Sequence, residues 1–250
     1  MLAQRHQFKG KFILFEGLSG SGKSTQAQLL CDRLVQDATD QILLNREPTQ
    51  GVFGRMIRAL IERKPVPTEW FLEVGYQCAG ESKWEEFLSP VRKIARGESL
   101  EEMERQQLFV LDRFDDITRT IVPALKDSKI VVQDRFDLST YAYYAAAHGG
   151  AVSIDDITEL HRKILGSSYI LPDLIFVFDM PAEHAVARLE FSGKTIDIYE
   201  QGEYLKRVRE AYAFLAEQLS HETNVVLLDG MRGKEDLHEQ IVDVASRQIL

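Results

Sequence analysis

Residues 12–25 read FILFEGLSGSGKST. Phe12, Ile13, Leu14 and Phe15 form an apolar run of strand length that Glu16 closes. Gly17-Leu18-Ser19-Gly20-Ser21-Gly22-Lys23-Ser24-Thr25 then fits G-x-x-x-x-G-K-[ST] at every fixed position. Glycines let consecutive backbone N–H groups turn inward around a triphosphate. The lysine reaches its outer phosphates, and the following hydroxyl takes a place on Mg²⁺. Residues 26–35 carry apolar side chains at helical spacing, so a helix dipole points its positive end at the same phosphates. A strand before the loop and a helix after it separate a phosphate-binding loop from a glycine-rich surface turn. Gly17, Ser19, Gly20, Ser21, Gly22, Lys23, Ser24 and Thr25 are therefore the candidate nucleotide-binding residues.

The composition agrees with a small charged ligand rather than an extended polyanion. The 250 residues carry a net charge of -9, with 44% hydrophobic and 28% charged residues. No excess of Lys and Arg exists to neutralise phosphates along a nucleic acid or an anionic membrane. Cys31 and Cys78 make neither a disulfide framework nor a zinc site. The start, MLAQRHQFKGK, has no apolar core of a secretory signal, and no stretch reaches the length of a membrane span. The expectation is a cytoplasmic protein.

Outward from the loop, strands and helices alternate. Residues 41–45 read as a strand that ends in Arg46-Glu47-Pro48, and 53–63 have helical spacing before Pro65 and Pro67. Residues 68–105 show helix-spaced apolar positions interrupted by glycines, with an acidic stretch at 97–105 expected to be solvated. A long helical pattern covers 102–125. The β-branched run 129–133 delivers Asp134-Arg135, and a strand ending in aspartate downstream of a phosphate loop is the usual arrangement for a Mg²⁺ contact. Helical patterns at 138–147 and 154–165 lead to a strand at 174–178 ending in Asp179. Then come a helix at 182–190, a loop at 192–195, a helix at 199–219, a strand at 224–228 and a last helix from 234. This alternation predicts one α/β domain over 1–250, three layers deep, with a mostly parallel five-stranded sheet flanked by helices. Residues 68–105 are an enlarged helical insertion and 188–199 a short mobile lid.

The ordered set Arg46-Glu47-Pro48, Leu108-Phe109-Val-Leu-Asp112-Arg113, Asp134-Arg135-Phe136-Asp137-Leu138-Ser139-Thr140-Tyr141-Ala142-Tyr143, Pro172-Asp173-Leu174 and Tyr199-Glu200, behind the phosphate loop, resembles the thymidylate kinases among the P-loop nucleoside monophosphate kinases. The resemblance implies transfer of the γ-phosphoryl of ATP to dTMP with Mg²⁺, in a homodimer. It implies that Arg46 and Arg135 hold the acceptor phosphate. Phe109 would stack on the thymine, Arg113 would hydrogen-bond the base, and Thr140 and Tyr143 would line the base and deoxyribose. Ser24, Asp134 and Glu200 would form the metal shell, and Lys23, Arg135, Arg188 and Lys194 would surround the transferred group. From the residues alone, the preferred reading of Phe109 is a core phenylalanine and of Arg113 a solvated arginine, and Glu200 also reads as an ordinary first-turn carboxylate.

The sequence departs from the family pattern in three ways. Ser19 replaces a loop carboxylate, and Ser21 leaves the loop without an arginine. The lid offers only Arg188 and Lys194, and a lysine cannot form the arginine's bidentate fork. Asp116 and Tyr144 stand where histidine and glutamine are common. These departures keep two other readings open. One is a deoxynucleoside kinase with Glu47 as base; the other is a nucleotide-binding protein with little turnover. The absence of an N-K-x-D base-reading sequence argues against a GTPase.

Overall fold

The computed structural model describes residues 4–36, 41–78, 83–148, 154–193 and 202–249. Its organising strand is β2 (Lys11–Gly17), which pairs in parallel with β4 (Ile130–Asp134) on one side and β6 (Leu174–Asp179) on the other. Strands β3 (Ile42–Arg46) and β7 (Asn224–Asp229) extend the sheet to the order β3-β4-β2-β6-β7, parallel throughout. The expected five strands are therefore all present. A two-stranded parallel pair, β1 (Gln4–Arg5) with β5 (Ile170–Leu171), was not legible, because two residues per strand carry no periodic signal.

Alternation along β2 decides the layering. Phe12 and Leu14 face one core with Val131, Ile175 and Val177, while Ile13 and Phe15 face a second core with Val132, Phe176 and Phe178. A strand buried on both faces reads as a continuous apolar run, which is why FILF needs no polar partner positions. Helix α1 (Lys23–Gln36) covers the second core through Ala27, Leu30, Cys31 and Leu34, together with α12 (Lys234–Gln248). Both cysteines are free, as expected.

The larger face is covered by α2 (Val52–Ile61), α3 (Thr68–Gln77), α4 (Lys83–Phe87), α5 (Ser89–Ala95), α6 (Glu102–Asp116), α7 (Val122–Lys126), α8 (Asp137–Ala147), α9 (Asp155–Leu165), α10 (Ala182–Phe191) and α11 (Gly202–Leu219). A π-helical turn, Ile117–Ile121, joins α6 to α7, so the single long helix expected over 102–125 is continuous but widened at one turn. The stretch at 97–105 is less solvated than its acidic composition suggests. Leu100 is buried in the core, and Glu101 and Glu104 form a reciprocal capping box that starts α6. Trp84 and Val91 bury α4 and α5 against the same core, which makes residues 68–105 part of the domain's packing.

Strand order reverses at β2, and the chain crosses from there to opposite sides of the sheet. Ligands of open α/β sheets bind beyond the carboxyl ends of the strands at such a switch. Gly17, Arg46, Asp134, Asp179 and Asp229 all end their strands on that edge.

Candidate active site

The glycine loop wraps the amino end of α1 as the sequence predicts. Gly20 has φ 82°, and a Cβ placed on it would lie 2.4 Å from the Ala185 carbonyl oxygen, so only glycine lets the loop close on α10. Lys23 is buried, with its ammonium donating to the Leu18 carbonyl at 3.2 Å, which holds it inside the loop. The Ser24 hydroxyl donates to Asp134 Oδ2. Asp134 Oδ1 is buried without a partner. A hydroxyl beside a carboxylate that still has an unsatisfied oxygen fits the donor set of a Mg²⁺ ion held by a phosphate-loop serine and a strand-end aspartate. Among the described residues no larger cluster of metal-ligating side chains exists. The other expected ligand, Glu200, lies outside the described residues, as does Lys194.

Two clefts flank the loop. One is lined by Gly20 to Gln26 together with Arg188, Arg232 and Lys234. Arg188 extends from α10 to the loop, its Nη1 4.0 Å from a Cβ built on Gly22. Arg232 and Lys234 were not singled out in the sequence; the signal available was the strand β7 running into Gly-Met-Arg-Gly-Lys. The second cleft is lined by Ser19, Glu47, Phe109, Arg113, Arg135, Thr140 and Tyr143, with Gln106 and Ser139 among the rest. Neighbouring loop residues, Ser19 and Gly20, thus face different clefts. Arg46 lies apart from both, exposed in a third hollow with Ser24 and Asp134 that shares Pro48 with the second cleft.

Arg135 is held in place by both its backbone and its side chain. Its backbone has φ 72°, unusual for a side-chain-bearing residue, and its N–H donates to the Phe15 carbonyl at 3.0 Å. The guanidinium reaches Ser139 Oγ at 3.0 Å, Tyr212 Oη at 3.3 Å and Ser19 Oγ at 3.0 Å, and lies 5.7 Å from the Tyr143 ring centroid. Beneath it, Glu16 accepts from Phe136 N at 2.7 Å, Ser139 Oγ at 2.7 Å and Tyr212 Oη at 3.0 Å. Burial raises the Glu16 carboxyl above its ordinary range, while Arg135 and these donors pull the other way. Where the family carries a loop carboxylate, Ser19 offers Arg135 a neutral hydroxyl, and Glu16 is the nearby carboxylate that opposes its charge. Glu16 and Tyr212 were missed in the sequence, where a carboxylate closing an apolar strand was the only signal.

Arg113 is no solvated arginine. It is 1% exposed, and all five N–H groups meet protein acceptors: Nε to Glu47 Oε1 (3.2 Å), Nη2 to Glu47 Oε2 (2.5 Å) and to the Phe136 carbonyl (2.7 Å), and Nη1 to Thr140 Oγ1 (3.1 Å) and His161 Nε2 (2.9 Å). Because His161 accepts through Nε2, its Nδ1–H is the proton given to the Ile157 carbonyl at 2.8 Å. Burial, and then the adjacent Arg113 charge, push the His161 pKa down to about 3, which keeps the ring neutral.

Helix α6 also holds the turn after β3. Asp112 accepts from Thr49 N at 2.8 Å and Thr49 Oγ1 at 2.6 Å, and Asp116 accepts from Asn45 Nδ2 at 2.7 and 2.8 Å. Asp116, where the family has histidine, is thus a clamp on the strand that carries Arg46. Burial pushes the Asp116 carboxyl up to about 7 and Asp112 up to about 6. For each group the folded pKa exceeds the unfolded one. The stability it contributes is therefore full below the ordinary aspartate value of 3.8 and is lost as pH rises through about 6 to 7. His161, with a folded pKa below its unfolded one, works in the opposite sense and loses stability as pH falls below 6.5. The difference between wild type and Asp116→Asn isolates the carboxylate. Between pH 5 and 8, urea unfolding of wild type relative to that variant should lose up to about 1.4 kcal/mol per pH unit. A constant difference across that range would contradict the titration.

Residues 15–72 and 68–241 match the family model described as Thymidylate kinase. The chain belongs to the thymidylate kinase family. Its similarity to a probable thymidylate kinase of Thermococcus onnurineus is 29% identity, covering 96% of this chain and 98% of the relative. Thymidylate kinases of Chlamydia caviae and Halothermothrix orenii are each 30% identical, over 90% and 93% of this chain and 92% and 95% of theirs. The family accounts for the meeting of a phosphate loop and two clefts on one sheet edge. No described helix is long and apolar enough to cross a membrane.

Proposed function

We propose that this member of the family transfers the γ-phosphoryl group of ATP to the 5′-phosphate of dTMP, giving dTDP and ADP. The observation that carries the reading is the division of the loop between two clefts at Ser19 and Gly20. A transferred group at the loop lies between a donor phosphate chain on one side and an acceptor on the other. Phosphoryl transfer needs little covalent help from a protein; positioning and charge stabilisation supply most of the rate.

On the donor side, Lys23 and the loop N–H groups bind the triphosphate, with Arg188 above them. When bound by Ser24 and Asp134, Mg²⁺ neutralises charge on the outer phosphates and orients them. On the acceptor side, Arg135 holds the acceptor phosphate beside Ser19, and Arg46 approaches from the β3 turn. Phe109 stacks on the base, Thr140 lines the base, and Tyr143 lies under the sugar. Arg113 shapes the wall and reaches the base only by exchanging one of its internal hydrogen bonds. Lys194 and Glu200 remain in this reading as lid and metal residues. The protein acts in the cytoplasm as a homodimer, for which the exposed Leu72 and Tyr76 on α3 offer an apolar face. Nucleic acid and membrane have no part in it.

A deoxynucleoside kinase would need a carboxylate free to take a proton from a sugar hydroxyl. Glu47 has both oxygens committed to Arg113, so the acceptor favoured is a phosphate. A coupled ADP-release assay against dTMP, dUMP, dCMP, dGMP, AMP and thymidine tests the reading: dTMP turned over fastest supports it, and thymidine turned over in its place refutes it. In the same assay Arg135→Lys should lower kcat/KM for dTMP about 10- to 100-fold, because an ammonium keeps the charge but cannot span Ser19, Ser139 and Tyr212 at once. Unchanged kcat/KM would show that Arg135 is not at the acceptor phosphate.

A further inference from the structure

Helix α6 presents Gln106, Phe109 and Arg113 to the acceptor cleft, spaced as i, i+3 and i+7 on one helical face. The polar groups on this wall are not equivalent. Arg113 spends every N–H inside the protein. Gln106 does not spend its whole amide. The residue is 2% exposed, and its Nε2 donates to Glu102 Oε1 at 2.6 Å. Glu102 Oε1 accepts from the nitrogen end of the amide, which turns Gln106 Oε1 the other way. Among the described residues no donor reaches Oε1, and Gln106 is one of the residues that line the cleft. A nearly buried, oriented amide on the wall that also carries Phe109 offers an acceptor awaiting a donor.

We propose that Gln106 is a specificity-determining residue whose Oε1 accepts a hydrogen bond from a ring N–H of the acceptor base, the imide N3–H of thymine. The inference rests on the reading that the Phe109 cleft holds that base. Thymine and uracil present N–H at this edge, whereas the corresponding ring nitrogen of cytosine is itself an acceptor. Cytosine would set two lone pairs against each other. A site built around a buried hydrogen-bonding group rejects a ligand that leaves it unpaired far more strongly than an apolar pocket rejects a change of size. Glu102 is a positioning residue in this scheme, acting only through the amide it orients.

The test compares wild type with Gln106→Leu in steady-state kinetics on dTMP and dCMP, with Gln106→Met as a second replacement should the leucine variant not fold. The inference expects KM for dTMP to rise about tenfold or more with kcat nearly unchanged. It also expects the dTMP to dCMP ratio of kcat/KM to fall about tenfold. A loss shared equally by both acceptors, or no loss, would overturn it, because a merely structural glutamine does not distinguish bases. Phe109→Ala separates this from the reading beneath it. An unchanged KM for dTMP in that variant would mean the cleft does not hold the base. A raised KM there, alongside an unaltered acceptor ratio in Gln106→Leu, would overturn the role of Gln106 alone.

Discussion

Lys23→Ala should lower kcat with dTMP by about 100- to 1,000-fold while leaving the fold intact, measured as ATP-dependent ADP release at saturating substrates. The ammonium lies in the loop, buried and anchored to the Leu18 carbonyl, so it is placed before substrate arrives and needs no reorganisation. Charge developing on the transferred group is stabilised by such fixed cations in proportion to how little water screens them. The cost should fall mainly on kcat. A variant with kcat within threefold of wild type would move the chemistry away from the loop.

Arg113→Leu should destabilise the protein by about 3 to 5 kcal/mol in urea unfolding, lowering the melting temperature by roughly 10 °C. Glu47 is 3% exposed, and its carboxylate is balanced by the fork of Arg113. Removing the guanidinium leaves Glu47 to carry an uncompensated charge in the core or to bind a proton. It also strips acceptors at Thr140, His161 and the Phe136 carbonyl of their donor. Adding Glu47→Gln to the variant should recover part of the loss, since a neutral amide is cheaper to bury than an unpaired carboxylate. If the single variant unfolds at the wild-type urea concentration, the pair is not the structural clamp described.

The sheet and the phosphate loop were readable because their signals are local. A run of four apolar residues, a fixed glycine spacing and a β-branched strand ending in Asp134 each declare themselves within a dozen residues. The same holds for the parallel order, which follows from alternating strands and helices. What the sequence did not reveal is who partners whom across the fold. Tyr212 reaches Glu16 across 196 residues, and Glu47 meets Arg113 across 66. In sequence, Arg113 and Phe109 show only helical spacing, which a solvated arginine would share; its burial comes from Glu47 and His161, which lie on other elements. The compensation for Ser19 was equally hidden. Glu16 looks like the polar end of a strand until the fold sets it under Arg135. Gln106 carried no signal beyond its place one turn before Phe109, and its oriented amide depends on Glu102 and on the cleft that packing creates.

The central claim is transfer of a phosphoryl group between two nucleotides bound on opposite sides of one loop. Its most direct test is to incubate the protein with ATP labelled in the γ-phosphate, Mg²⁺ and dTMP, and to identify the labelled product. The account predicts label in dTDP, formed in step with ADP and lost in Lys23→Ala. Label appearing only in inorganic phosphate, or moving to thymidine but not to dTMP, would contradict it.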